Sequence, residues 1–169
     1  IGTIAAGSTQ HLAAEYFKSL SNIDAVIVPY KGTPAVITAL RSGEIDVGFE
    51  ILGPMLGQVQ GKALRALAVT SDRRFAALPE VPTVKESGLP AYTVASWNAL
   101  AAPVKTPRQV IDRLQRAALQ ALAMPGVQSQ LQALGVRAQG GTPEQMKQLL
   151  GSETKRWSDV IVQAKIERQ

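Results

Sequence analysis

Two short segments combine glycine with polar side chains in a pattern that suits the binding of a small anion. The first segment contains Gly7, Ser8, Thr9, Gln10 and His11, and the second contains Tyr30, Lys31, Gly32 and Thr33. Each segment follows an apolar run and precedes a helical pattern. At the start of a helix, unpaired backbone N–H groups and the positive end of the helix dipole favour a negative charge. Together the segments predict an anion socket, although each one alone is more typical of a plain helix cap or a tight turn.

A third loop, which begins at Glu50, is expected to lie beside the first two. In a parallel α/β sheet the loops that follow the strands emerge at one edge, and ligands bind there. Glu50 is predicted either to pair with an ammonium group of an amino-acid-like ligand or to face solvent. Lys31 is expected at the rim, where its hydrated ammonium group attracts anions from a distance.

The sequence predicts no catalytic, metal or cofactor residues. Ser8 and His11 are three residues apart, which suggests a hydrolase, but no G-x-S-x-G elbow surrounds Ser8 and no residue stands out as a third member. Neither a GxxxxGK(S/T) phosphate loop nor a GxGxxG turn is present. With no Cys and a single His, the chain lacks a convincing set of transition-metal ligands.

The composition argues against nucleic-acid and membrane-spanning functions. The net charge is +5, but the basic residues are scattered and only 5% of the 169 residues are aromatic, which leaves few surfaces for base stacking. No apolar run approaches the roughly 20 residues that a membrane helix requires. The chain begins at Ile1 with a strand-like run, so we interpret it as a fragment or a processed product.

Strand and helix patterns alternate through the first half of the chain. Apolar runs predict strands near 1–6, 24–30, 45–49 and 64–70, with helices between them. Thr33 is expected to cap the second helix, with Pro34 at its first position and Gly43 just past its end. Such alternation is typical of a parallel sheet with helices on both faces.

The second half is predicted to be mainly helical. A proline-rich connection spans 73–92 with one capped turn from Thr83 to Glu86, and 93–103 is expected to form a strand pair or a bent strand. Predicted helices follow at 107–123, capped by Thr106, and at 125–134, with a short strand at 136–139. Thr142 and Gln145 predict a capping box for a last helix. Its predicted buried face comprises Met146, Leu149, Leu150, Trp157, Val160 and Ile161.

Longer segments resemble one family of transport proteins. The resemblance is carried by GSTQHLAAEYF, VPYKGTPAVITALRSGEIDVGFE, LRALAVTSDRRFAALPEVPTVKESGLPAY, SWNALAAPVKTP and GGTPEQMKQLLGSETKRW. Together these segments are similar to the solute receptors of tripartite tricarboxylate transporters, the Bug (Bordetella uptake gene) family. The similarity runs over the whole chain, and the VPYKG block is among its most specific parts.

The resemblance implies a periplasmic receptor that closes like a Venus flytrap on a di- or tricarboxylate or an acidic amino acid and delivers it to membrane components of a transporter. The implied fold is α/β of the periplasmic-binding-protein type II-like class, a parallel sheet flanked by helices, with an incomplete second domain. The complete unit is expected at 1–91 and corresponds to the family's second domain. Residues 92–169 are expected to be the helical return segment of the family's first domain, whose N-terminal strands are absent.

Some residues depart from the family pattern, and one other function remains open. The family usually has additional glycine and serine where this chain has Ile4 and Ala5, often an aromatic residue in place of Asn98, and Asp or Asn in place of Glu50. These changes put ligand selectivity in doubt. The alternative function is the effector-sensing domain of a transcription regulator. Because the apolar stripes of the last helices lack the sheet that they cover in the family, dimerisation, strand exchange or a companion segment is also expected.

Overall fold

The computed structural model describes residues 1–166 of the chain. Within this range it contains two short strands, β1 (Gly2–Ile4) and β2 (Val28–Tyr30). The helices are α1 (Thr9–Ser21), α2 (Thr33–Ser42), α3 (Leu52–Gln60), α4 (Arg108–Ala123), α5 (Pro125–Ala133) and α6 (Pro143–Gln163). The order β1-α1-β2-α2 is the predicted one. Residues 167–169, at the end of the predicted return segment, lie outside the described residues.

The sheet is parallel, as predicted, and β1 lies at its centre. The paired residues of β1 and β2 are Gly2 and Val28, Thr3 and Pro29, and Ile4 and Tyr30. On the other side of β1, the Gly2 N–H donates to the Val47 carbonyl at 2.7 Å, and the Phe49 N–H donates to the Gly2 carbonyl at 2.9 Å. These bonds form a single parallel bridge between Gly2 and Gly48. The predicted strand at 45–49 therefore contributes one bridge and not a regular strand.

Helices α1 and α2 cover opposite faces of this sheet. A Cβ atom added to Gly48 would lie 2.9 Å from the Cδ1 atom of Leu40, which belongs to α2. The next residue, Phe49, packs against Phe17 of α1 with ring centroids 5.4 Å apart. Because successive residues of an extended segment point to opposite faces, the two contacts place one helix on each face.

A buried tyrosine ties the proline-rich connection to α1. Tyr92 is fully buried, and its hydroxyl donates to the Ala13 carbonyl at 2.9 Å. Its ring stacks on Tyr16 with centroids 5.4 Å apart. Ala13, Val84, Tyr92 and Val94 form the buried cluster at this contact. Burial of large apolar side chains is the main driving force for such packing, so this cluster holds the irregular connection against the first helix.

The predicted strand at 64–70 pairs with the proline-rich connection instead of the sheet. The Val69 N–H donates to the Pro82 carbonyl at 2.9 Å, and the Val84 N–H donates to the Val69 carbonyl at 3.0 Å. The result is a single bridge between Val69 and Thr83. Proline has no N–H to donate, which limits the length of the ladder on this side. The prediction of a regular fourth strand is therefore wrong.

The strands predicted at 93–103 and 136–139 do not form within the described residues. Residues 95–103 are exposed and form no regular secondary structure. The Val94 N–H donates to the Thr70 carbonyl at 2.8 Å, but this bond does not extend into a ladder. A strand needs a neighbouring strand to pair its backbone groups, and these segments have none in the part of the chain that the structure describes.

The starts of two later helices test the predicted caps. Pro107, not Thr106, is the N-cap of α4, because its carbonyl accepts the Ile111 N–H at 3.2 Å. The residue before a proline is held in an extended conformation, which keeps Thr106 outside the helix. The capping box of α6 is confirmed: the Gln145 N–H donates to the Thr142 hydroxyl at 3.1 Å, and the Thr142 N–H donates to Gln145 Oε1 at 2.8 Å.

The apolar faces of α4 and α6 are largely uncovered in the described residues. No residue of α4 is buried, and Leu114 is 54% exposed. In α6 only Val160 is buried, whereas Leu149 and Leu150 are exposed, so the predicted buried face of this helix is wrong in part. Of the helices between residues 1 and 166, none combines the length and the apolar character that crossing a bilayer requires.

A polar cluster joins α6 to the segment that follows the connection. Arg156 donates to the Thr93 carbonyl at 2.6 Å and forms an ion pair with Glu153. The Trp157 indole N–H donates to Glu153 at 3.0 Å, and the Arg156 guanidinium lies 4.8 Å from the Trp157 ring centre. A stacked, bidentate arginine has little rotational freedom. These contacts therefore fix the second half of α6 beside residues 93–97.

Candidate functional site

Ser8 caps α1, as its position in the sequence suggests. Its hydroxyl oxygen accepts the His11 N–H at 3.1 Å, which satisfies one of the otherwise unpaired donors of the first turn. The same hydroxyl donates to the Ile4 carbonyl at 3.0 Å, at the end of β1. Because it already donates to the Ile4 carbonyl, this hydroxyl has no further proton to donate to a ligand.

The His11 imidazole points to Gly7 and not to the Ser8 hydroxyl. The Gly7 N–H donates to His11 Nδ1 at 3.3 Å, and Gly7 has a φ of +77°, a conformation that glycine adopts without strain. Because the imidazole does not contact the Ser8 hydroxyl in this arrangement, Ser8 and His11 do not form a nucleophile and base pair. Among residues 1–166, no group of three His, Asp or Glu side chains is placed to hold a metal ion.

Gly32 is the N-cap of α2, where the sequence predicted Thr33. Gly32 has φ +96° and ψ 162°, values that residues with a side chain rarely adopt. Its carbonyl accepts the Ala35 N–H at 3.1 Å. Thr33 is therefore the first helical residue, and its hydroxyl does not cap the helix. The predicted end of α2 is confirmed, because Gly43 is its C-cap with a φ of +75°.

Glu50 connects the starts of α1 and α2. The Thr33 hydroxyl donates to Glu50 Oε2 at 3.0 Å, and Gln10 Nε2 donates to the same oxygen at 3.5 Å, a long and weak hydrogen bond. Gln10 lies in the first turn of α1, and Thr33 begins α2. The carboxylate thus brings residues of all three predicted loops together at the carboxyl edge of the sheet.

The Glu50 carboxyl group is partly removed from water. Its Oε1 atom is buried and has no hydrogen-bond partner among residues 1–166. Burial raises the pKa of Glu50 above its usual value, and the hydrogen bonds from Thr33, Gln10 and the Ile51 backbone oppose this shift only in part. Of the two alternatives predicted for Glu50, a carboxylate that faces solvent is therefore wrong, and pairing with a ligand ammonium group is not tested. Its carboxylate faces Thr33 and Gln10.

Three backbone donors remain at the two helix starts. In the part of the chain that the structure describes, no acceptor is bonded to the N–H groups of Thr9, Gln10 or Thr33. They belong to the first turns of α1 and α2, whose dipoles make this end of each helix positive. A carboxylate that bridges these donors would gain charge-assisted hydrogen bonds, each contributing about 1.5–3 kcal/mol.

Two of the predicted site residues do not join this group. The Tyr30 hydroxyl donates to Glu44 Oε1 at 2.7 Å, and this hydrogen bond raises the pKa of the Tyr30 hydroxyl. The Tyr30 ring packs against the cluster of Val36, Ala39 and Ile45 under α2. Lys31 is exposed, as expected of a residue at the rim of a site.

Helix α6 reaches the start of α1, a contact that the sequence did not predict. A cleft of about 310 Å³ is lined by Thr9, Ala95, Ser96, Trp97, Leu150, Glu153, Thr154 and Trp157. The contact joins residues more than 140 positions apart, so no local pattern could predict it. The one available signal was the spacing of Glu153, Arg156 and Trp157, which places all three on one side of α6.

The comparisons with known proteins agree on one family. Residues 1–166 match the family described as the tripartite tricarboxylate transporter family receptor. A protein encoded in the tcbD-tcbE intergenic region of Pseudomonas sp. strain P51 is 37% identical over 161 residues, which cover 95% of this chain and 48% of that protein. The chain thus spans about half the length of this relative.

Solved structures show the same fold. R. palustris Rpa4515 with adipate is 32% identical with a TM-score of 0.83, over 98% of this chain and 55% of that one. The periplasmic binding protein BugD is 27% identical with a TM-score of 0.77, over 100% of this chain and 58% of that one. The α/β fold is therefore that of a periplasmic binding protein, of which the chain covers about half. On this evidence the chain belongs to the tripartite tricarboxylate transporter receptor family.

Proposed function

We propose that the chain is the ligand-binding portion of a periplasmic solute receptor, which captures a small carboxylate and delivers it to the membrane components of a transporter. The observation that carries this proposal is the bridge from Glu50 to Thr33 and Gln10, because it holds two helix starts with unpaired N–H groups at one edge of the sheet. The adipate in the R. palustris neighbour supports a dicarboxylate ligand. Membership of a receptor family favours this function over an effector-sensing domain.

In this proposal the ligand carboxylate lies against backbone N–H groups. Thr9, Gln10 and Thr33 supply these donors, Gly7 and Gly32 let the loops turn into their helices, and Lys31 attracts the anion from the rim. Residues 1–91 form the domain that carries the socket. Residues 92–169 form the return segment of the family's first domain, and the last three of them lie outside the described residues.

The charge of Glu50 limits which acids fit. As long as Glu50 is ionised, its carboxylate beside the socket repels a ligand that places a further carboxylate close to it. The proposed ligands are therefore small dicarboxylates, with tricarboxylates and acidic amino acids as the alternatives to be tested. A ligand whose second carboxylate extends away from Glu50 avoids the repulsion.

Isothermal titration calorimetry on the full-length gene product tests the proposal. The panel is acetate, succinate, adipate, citrate, aspartate and glutamate. We expect submillimolar binding of at least one of the dicarboxylates. Gly32→Val is expected to weaken this binding more than Lys31→Ala, because the branched side chain strains a backbone conformation that glycine adopts easily and occupies space beside the socket. Far-UV circular dichroism confirms that each variant is folded. Binding of none of the six acids would reject the proposed function.

A further inference from the structure

The Thr33 hydroxyl is oriented unfavourably for an anionic ligand. Its proton is donated to Glu50 Oε2 at 3.0 Å, so the hydroxyl can offer only lone pairs to anything else that approaches. A carboxylate placed against the Thr33 N–H would meet this acceptor and, behind it, the Glu50 negative charge. Both effects oppose the binding that the helix starts favour.

Among residues 1–166, no cation contributes to the pKa of the Glu50 carboxyl group and so offsets this repulsion. The other titratable residues on the three loops that meet at Glu50 are His11 at the start of α1, Lys31 before α2 and Asp46 in the third segment, and α3 carries none. None of these contributes to the shift in the pKa of Glu50, which arises from burial and is opposed only by neutral hydrogen-bond donors. Burial without a partner cation favours the neutral form of a carboxyl group.

We propose that Glu50 is a positioning residue that couples carboxylate binding to the uptake of one proton, an inference that rests on the proposed function. One proton moves from solvent to Glu50 Oε2, and the new O–H donates to the Thr33 oxygen. The Thr33 hydroxyl then rotates and donates its own proton to the ligand carboxylate. Towards the ligand, the Thr33 hydroxyl thus changes from a hydrogen-bond acceptor to a hydrogen-bond donor. Protonation also removes the negative charge of Glu50.

This coupling differs from a direct contact between Glu50 and the ligand. Oε1 is buried and Oε2 is already bonded to Thr33 and Gln10, so a ligand ammonium group has no open carboxylate oxygen to approach. Glu50 therefore acts through Thr33. The preferred ligand is a carboxylic acid taken up together with a proton, and an amino group brings no advantage.

The number of protons taken up is measured by titrating the full-length gene product with adipate and succinate in buffers of different ionisation enthalpy. At a pH between the pKa of Glu50 in the unliganded protein and its higher pKa in the complex, we expect uptake approaching about one proton per ligand, with affinity falling up to about tenfold for each pH unit. In Glu50→Gln the introduced amide donates to Thr33 at every pH, so uptake and the pH dependence should both disappear while binding remains.

Three further variants test whether the proton is taken up by Glu50, acting through Thr33, or by another side chain. Glu44→Gln, a matched loss of an exposed carboxylate that bonds Tyr30, should leave proton uptake unchanged. His11→Gln tests whether the histidine takes up the proton instead, since histidine side chains also gain protons near neutral pH. We expect the proton uptake to be unchanged in this variant. Thr33→Val retains Glu50 and should lose most of the uptake, which keeps the test valid if Glu50→Gln does not fold.

The possible results distinguish the inference from the proposed function. Binding of a dicarboxylate without proton uptake, loss of the uptake in His11→Gln, or preferential binding of aspartate or glutamate without uptake would each overturn the role of Glu50 and leave the receptor function standing. Failure of all six acids to bind would reject the receptor function itself.

Discussion

The Thr33 hydroxyl and the Glu50 carboxylate, seventeen residues apart in the chain, are joined by a 3.0 Å hydrogen bond. This bond links the start of α2 to the loop that precedes α3. With the longer contact from Gln10, it fixes the relative position of two helix starts whose N–H groups face no acceptor in the described residues. This hydrogen bond is the structural basis of the proposed anion socket and of its proposed dependence on pH.

Gly32 should tolerate no side chain, whereas Gly57 should. Gly32 has a φ of +96°, so Gly32→Ala is expected to lower the free energy of unfolding by about 1–3 kcal/mol through backbone strain. Gly57 lies within α3 with open space at its Cβ position, and Gly57→Ala should raise the same quantity by about 0.5–1 kcal/mol. Urea denaturation of both variants measures the difference. Equal changes in the free energy of unfolding in the two variants would show that stability does not depend on the Gly32 conformation.

Tyr92→Phe should be modestly destabilising. The change removes the hydrogen bond from the Tyr92 hydroxyl to the Ala13 carbonyl at 2.9 Å, whereas the carbonyl keeps its helical bond within α1. The net loss of one such hydrogen bond costs about 0.5–1.5 kcal/mol. Tyr16→Phe is the matched control, because its hydroxyl reaches the Ala91 carbonyl only at 3.5 Å in an exposed position. A loss in Tyr16→Phe as large as that in Tyr92→Phe would contradict this account of the contact.

Glu86 should contribute to stability in a pH-dependent way. The Thr83 N–H at 2.7 Å and Arg74 at 3.1 Å lower the pKa of the Glu86 carboxyl from 4.5 to about 2. Because the folded state holds the ionised form more strongly than the unfolded state, this contribution is present above about pH 4.5 and is lost as the pH falls towards 2.

The acid denaturation curves of the parent and of Glu86→Gln should therefore converge as the pH falls through this window. Glu80→Gln, which removes an exposed carboxylate from the same connection, is the control and should leave the curve unchanged. A constant difference between the parent and Glu86→Gln down to pH 2 would show that the hydrogen bonds from Thr83 and Arg74 do not set the ionisation of Glu86.

The uncovered face of α4 should drive self-association of the isolated 169-residue chain. Val110 is 44% exposed and Leu114 is 54% exposed, and both lie on one side of the helix. Exposed apolar stripes of this kind favour association. Light scattering should detect dimers or larger species, and Leu114→Glu should reduce them, whereas Arg113→Glu on the neighbouring polar side should not. A monodisperse monomer of the parent chain would contradict this prediction.

The sequence predicted the elements that depend on local patterns. The βαβα order, the capping box at Thr142 and Gln145, and the glycine at the end of α2 follow from side-chain periodicity and cap chemistry within a few residues. The family resemblance was also confirmed, because residues 1–166 match the receptor family.

The failures arose where distant residues decide the outcome. Thr33 was predicted as a cap, but Gly32 occupies that position and the Thr33 hydroxyl bonds Glu50 instead. Val69 was placed in the sheet, but its backbone pairs with the connection near Thr83. A hydroxyl or a strand can satisfy its hydrogen bonds with several partners, and only the packed chain selects one of them.

The central claim, that the N–H groups at the starts of α1 and α2 bind a carboxylate, is tested most directly by amide NMR of the full-length gene product during titration with adipate and succinate. We predict that the amide resonances of Thr9, Gln10 and Thr33 shift downfield together with one saturation curve, as expected for hydrogen bonds to the same anion. Binding that leaves these three resonances in place while others shift would contradict the claim.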